Sequence, residues 1–255
     1  MARSSAAAAA LAVVRAAAMV GALGLSTAGG AAARAAAPAG EAMKLKPHVP
    51  AVGNVAVIVL PTAGADRFSA DYVAELVLAG AGSGGVYRPV PPEVLAEQLA
   101  KAGRAAPECA VDDECLRALA AALDLHHVMV ATLSGAAAKS SLAPVVVTPG
   151  TLAVVRTPLD PIAGGDDAII GAAPALGEKL SAVPPVGVVR LDGADGVTVT
   201  VDGVVVGTTP LGAPNKVLRL PAGAHDLKLE RKGWASWSRH ANLLGGKRYV
   251  LRWRS

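Results

Sequence analysis

The stretch VDGVVVGTTPL, residues 201–211, sets three valines between two turn signals and closes on Thr-Pro. Asp202-Gly203 reads as a two-residue hairpin turn, because glycine takes the positive φ that a tight turn between twisted strands requires. Gly207 and Pro210 then end the second strand, since proline cannot donate to a ladder. Period-two alternation continues outward from this hairpin. Val197, Val199 and Val201 share one face, with Thr198 and Thr200 on the other. Further on, His225, Leu227 and Leu229 oppose Asp226, Lys228 and Glu230, and Tyr249, Leu251 and Trp253 oppose Arg248, Arg252 and Arg254. Half-buried antiparallel strands carry this pattern. Residues 186–255 are therefore expected to form an all-β antiparallel sandwich.

Four ordered elements in that region form a recognisable set: Val201-Asp202-Gly203, Gly207-Thr208-Thr209-Pro210-Leu211, Pro221-Ala222-Gly223-Ala224-His225 and Gly233-Trp234. Together they closely resemble the PEGA domain, a small β-sandwich module of exported prokaryotic proteins, whose pattern is a strand, a VDG turn, a G-x-TP step, then PxGxH and a Gly-aromatic pair. Ala222 departs from the pattern, standing where glutamate is usual, so an acid has no part to play at that turn. The resemblance implies binding or scaffolding at the cell envelope, and it makes His225, on the apolar face of its strand, structural.

Upstream, Val-Pro-Pro at residues 183–185 separates this region from a different pattern. NVAVIVLP (54–61) is a continuous β-branched run closed by proline, the mark of a strand buried on both faces. Residues 66–79 read as a helix, with Phe68, Tyr72, Leu76 and Ala79 three and four apart. GVYRPV (85–90) reads as a strand, and residues 91–102 as a helix opened by proline. Asp112 can cap a helix to about Leu123, with Asp113 and Glu114 in its first turn where the helix dipole favours negative charge. A strand over 127–133, a hairpin over 142–158 and a helix over 166–182 complete a small α/β layer domain spanning 53–183. The cysteine pair and the step ALDLHHVMVATL (122–133) resemble the amino-terminal domain of TolB-like periplasmic proteins. That family's helix ends in Gly-Ala-Asp, where this chain has Leu123-Asp124-Leu125-His126.

The first 36 residues have a secretory pattern: Arg3 and Arg15, then AAAMVGALGL (16–25), then small residues with Ala-x-Ala exits. Cleavage is expected between about residues 28 and 37. The apolar run is about ten residues, short of the roughly twenty that span a bilayer, and no cysteine stands near the exit for lipid attachment. Residues 37–52, rich in Pro and Ala, read as a linker. The chain is thus expected to be exported, to the periplasm or else the cell surface or medium, without a transmembrane anchor after processing.

The net charge of +4 hides an asymmetry. Residues 37–185 carry 10 basic and 15 acidic groups, whereas residues 186–255 carry 11 basic and 5 acidic. Opposite charges permit the two domains to dock. The basic groups Arg231, Lys232, Arg239, Lys247, Arg248, Arg252 and Arg254 crowd the last strands. With Trp234 in the core, Trp237 and Arg239 are expected outside together, an aromatic beside cations suited to an acidic envelope glycan or a protein ligand. The candidate ligand surface is accordingly Trp237, Arg239, Lys247, Arg248, Arg252 and Arg254. The competing reading is a solvated charged face that protects an edge strand. Export argues against nucleic acid as a partner.

Other motifs resolve into structural roles. Cys109 and Cys115 are the only cysteines, and in an oxidising compartment a close even pair reads as a disulfide, contributing about 2 kcal/mol by chain entropy. Neither a metal pair nor a redox pair has the ligands or the two-residue spacing it would need. His126 and His127 point to opposite faces of a strand, so one is expected buried and hydrogen-bonded, the other solvated. GAGSGG (80–85) has dinucleotide-loop spacing but follows a helix and leads into a strand, so it reads as a linker. No Gly-x-Ser-x-Gly or His-Glu-x-x-His occurs. No catalytic, metal or cofactor-binding residue is assigned, and no cofactor is expected. The reading is a non-enzymatic envelope protein that binds or scaffolds. Its alternatives are an accessory component of an export or assembly complex acting through the α/β domain, and a hydrolase, which would need a concave pocket with convergent polar groups there.

Overall fold

The computed structural model describes residues 53–62, 64–212 and 216–253; the expected signal peptide and linker, and Arg254, lie outside the described residues. The first part of the chain runs β1 (Asn54–Pro61), α1 (Arg67–Ser83), β2 (Arg88–Pro89), α2 (Pro92–Lys101), α3 (Ala106–Val111), α4 (Asp113–Leu123), β3 (Leu125–Ser134), β4 (Ser141–Pro149), β5 (Val154–Pro158), β6 (Ile162–Ala163) and α5 (Asp166–Ser181). Its sheet has the order β2-β1-β3-β4-β5, with β6 also on β4. β1 pairs in parallel with β2 and β3, and β3, β4 and β5 pair antiparallel.

The β-branched run of β1 has the two-sided burial expected of it. Val55 and Val57 enter a core with α1 and α5, while Ala56 and Ile58 enter a second core with α2, α3 and α4. Asp112 caps α4 as its position predicts, accepting from the backbone N–H of Glu114 (2.9 Å) and Cys115 (3.3 Å). Cys109 and Cys115 form a disulfide with Cα atoms 5.2 Å apart. It ties α3 to the first turn of α4; α3 itself, six residues around a proline, has too few turns to leave a periodic signal.

GAGSGG is a correction. Instead of a linker, Gly80 to Ser83 complete α1. The reason is packing against α5: a Cβ on Gly80 would lie 2.0 Å from the Pro174 carbonyl oxygen, and one on Gly177 2.1 Å from that of Val77. The two helices touch backbone to backbone, and Ser181 Oγ donates to the Ala81 carbonyl (2.7 Å) across the contact. Glycine therefore persists inside these helices despite its entropic cost.

The second part runs β7 (Gly187–Gly193), β8 (Thr198–Val201), β9 (Val204–Thr208), β10 (Leu218–Leu220), β11 (Gly223–Glu230), β12 (Trp237–Leu243) and β13 (Arg248–Trp253). It makes a three-stranded sheet, β10-β7-β13, and a four-stranded sheet, β12-β11-β8-β9. Both contribute to one core, Val189, Leu218 and Leu220 from the first and Val199, Val201 and Leu227 from the second. The hairpin is as read: Asp202 and Gly203 have φ of 50° and 81° between paired Val201 and Val204, the conformation of a two-residue turn with both central residues left-handed.

One pairing departs from the all-antiparallel expectation, since β13 runs parallel to β7. Parallel neighbours need a long crossover, and here the whole four-stranded sheet supplies it. The architecture is a mixed α+β one, an α/β layer followed by two small sheets.

Glycine at the helix contact yields a direct test. Gly177→Ala should lower stability by about 2 kcal/mol through overpacking. Gly171→Ala, in the same helix but with nothing within 4 Å of its new Cβ, should raise it by up to about 1 kcal/mol. Urea midpoints of the two variants separate the effects.

Candidate functional site

The acidic and basic parts of the chain meet at Asp124. This residue ends α4 in the left-handed region, φ 53°, where Asp is among the few tolerated side chains. Its Oδ1 accepts from Arg219 Nη2 of β10 (2.7 Å), and Arg248 of β13 donates to Oδ2. Arg219, only 5% exposed, also donates from Nη1 to the Leu125 carbonyl (2.9 Å), and its backbone pairs with Thr151. An arginine can be buried here because its guanidinium is paired and hydrogen-bonded. Sequence reading missed this clamp; the signals were a charged residue between two core leucines and an aspartate where a helix usually ends in glycine.

Beside it lies a polar cluster. Tyr87 donates to the Val183 carbonyl (2.6 Å), so its oxygen accepts from His127 Nε2–H (3.0 Å), while Thr148 Oγ1 donates to His127 Nδ1 (2.8 Å). His126 Nδ1 accepts from the Val186 N–H (3.1 Å). Both histidines are buried, which corrects the expectation that one faces solvent: Val186 and Gly53 cover the His126 ring. Burial, with Arg219 nearby, holds His126 at a pKa of about 4; burial and then His126 hold His127 at about 4. Burial also raises the Tyr87 phenol. Among the described residues, no group of three or more His, Cys, Asp or Glu is placed to hold a metal ion.

In the carboxy-terminal sheets the signature residues hold one another. Asp202 Oδ1 accepts from the Asp226 N–H (2.8 Å), its Oδ2 bonds His225 Nδ1 (2.7 Å), and His225 Nε2 donates to the Pro221 carbonyl (2.9 Å). Thr209 Oγ1 donates to the Ala194 carbonyl (2.7 Å) and accepts from the Val197 N–H (3.1 Å). The VDG turn, the PxGxH step and the Thr-Pro are thus fasteners of a single fold. Residues 194–253 are a PEGA domain. Among solved structures, the chain is similar to the carboxy-terminal domain of LpoB from Salmonella enterica, at 13% identity over 43% of this chain and 84% of that one, TM-score 0.31. It is similar also to PelC from the dodecamer of Paraburkholderia phytofirmans, at 13% identity over 51% of this chain and 88% of that one, TM-score 0.31. Superpositions this partial carry no argument about function. No curated protein matches the chain.

With its motif spent on structure, what the PEGA domain offers a ligand is its open side. The edge strands β12 and β13 end their respective sheets and flank a groove of about 410 Å³. Its floor is apolar, formed by Val189, Leu227, Leu243, Tyr249 and Leu251, and Arg239 and Arg252 stand at its rim. Trp237 corrects the sequence reading. It lies opposite core residue Leu229 in the β11–β12 register and so packs against the core, half-buried. Trp234 sits in the preceding loop, its ring under the Arg231 guanidinium (4.5 Å) and against Trp253 (5.3 Å). Of the six candidate surface residues, the structure brings Trp237, Arg239 and Arg252 to this groove. Arg248 is turned to Asp124, Lys247 lies in the turn before β13, and Arg254 lies outside the described residues.

The buried histidines set a pH dependence. Each binds its proton more weakly in the fold than in the unfolded chain, whose imidazoles titrate near pH 6.5, so unfolding takes up protons below that pH. Stability should be full above about pH 6.5 and fall towards pH 4, by up to about 1.4 kcal/mol per pH unit for each imidazole. Urea titrations at several pH values should show this slope, and His127→Gln should flatten it.

Proposed function

We propose that this protein works outside the cytoplasm as a non-enzymatic binding or scaffolding component of the cell envelope, through the groove of its PEGA domain. The observation that carries the reading is the open apolar groove with a cationic rim, Arg239 and Arg252, in a domain whose signature polar groups are occupied in holding the fold. An apolar floor gives area and rim cations select an acidic ligand and steer its approach. The secretory pattern of the first 36 residues supports a ligand met after export, in the periplasm or else at the cell surface or in the medium. Among the described residues no helix is long and apolar enough to cross a membrane.

Pull-down of purified cell-wall and outer-envelope material by the full chain, across a salt series, tests this. Capture should weaken as salt rises and fall in an Arg239→Ala, Arg252→Ala double variant whose melting is unchanged. A folded chain that captures nothing at low salt overturns the reading.

A further inference from the structure

Every edge of the two carboxy-terminal sheets raises the same question, because unpaired backbone N–H and C=O groups invite another strand. β10 is met by the α/β layer, where the Thr151 N–H donates to the Arg219 carbonyl (2.9 Å) and Thr151 Oγ1 accepts from the Arg219 N–H (2.7 Å). β9 is set off by a register shift against β8. β13 is fastened at its start, Arg248 on Asp124 and the Tyr249 hydroxyl on the Leu244 N–H (2.8 Å). Among the described residues, β12 has none of these devices. Its seven residues, WSRHANL, contain no proline or lysine and pair with β11 in unbroken register.

The groove lies along that edge. On the groove-facing side of β12, small Ala241 stands between Arg239 and Leu243, and Arg239 is exposed with no ion-pair partner among the described residues. Arg252, across the groove, is opposite Asp192 in the β7–β13 register, but that carboxylate is held by Arg190 (2.8 Å), so both rim cations lack an ion-pair partner among the described residues, and Arg239 is the one carried on the β12 edge. The groove's aromatic rings, Trp237 and Tyr249, are half-buried and packed against the core, and Trp234 is covered by Arg231, so what β12 leaves open along the groove is its backbone edge.

We propose that the occupant of this groove is an extended polypeptide segment that adds to the β12 edge as a further strand. Its inward side chains alternate apolar residues, which rest on Leu251 and beside Ala241, with an acidic residue that meets Arg239. Main-chain bonds supply affinity and the alternate side chains supply selectivity, as in other strand-addition complexes. The inference rests on the binding reading above and narrows it to a protein ligand.

The probe is a synthetic labelled nonapeptide, Val-Thr-Val-Thr-Glu-Thr-Val-Thr-Val, which puts valines and the glutamate on one face, titrated against the full chain. Binding should weaken at least about tenfold with Arg239→Glu and return when the peptide glutamate is replaced by lysine, the gain and loss expected of a close charge pair. N-methylating every second peptide residue blocks one strand edge; one of the two phases should abolish binding and the other leave it intact. No binding by the peptide, or binding indifferent to both phases, overturns strand addition. Arg239-dependent capture of polygalacturonate, an acidic polysaccharide, without peptide binding would sink strand addition and leave the binding reading standing; failure of both probes and of envelope capture would sink both.

Discussion

The carboxylate of Asp124 is the point on which the two halves of the molecule depend. It closes α4 in a backbone conformation that few side chains tolerate, and it receives a guanidinium from β10 and another from β13. Removing it would leave Arg219 charged, buried and unpaired, the costly kind of loss. The acidic and basic halves of the sequence are in this sense complementary, and among the described residues the ion pairs that join them converge on this one carboxylate. The imidazoles beside it stay neutral because the same closure keeps water away.

A consequence for the PEGA domain is that its motif residues serve the fold. Asp202, Thr209 and His225 look like candidates for chemistry, being polar, close together and held in a fixed geometry. Each is spent on a turn, a strand start or a carbonyl. The groove between β12 and β13 is lined by residues other than these motif positions, at the seam where two sheets share a core without joining along one side.

The sequence was most legible where a single local rule governs. The two-sided burial of β1, the Asp112 cap, the Asp202-Gly203 turn and the alternation of β8 and β11 all follow from short-range patterns. It was least legible where a distant partner decides. Gly80 reads as a linker until Pro174 is placed against it, Trp237 reads as surface until Leu229 fixes its face, and β13 reads as one more antiparallel strand until β7 is found beside it. The position of the candidate residues was legible only in part for the same reason: charge composition pointed to the last strands, three of whose residues, Trp237, Arg239 and Arg252, line one groove, but Arg248 could be assigned to Asp124 only once the fold had brought them together.

The parallel pairing of β13 with β7 has a bearing on what counts as a unit. The family signature begins at residue 194, one residue after β7 ends, yet β7 is the middle strand between β10 and β13. A piece of chain cut where the signature starts would keep both outer strands and lose what they are bonded to, exposing a face of Leu218, Leu220 and Leu251 to water. The evolutionary module and the hydrogen-bonded module have different borders, and the one that can be moved intact into another protein is the longer of the two.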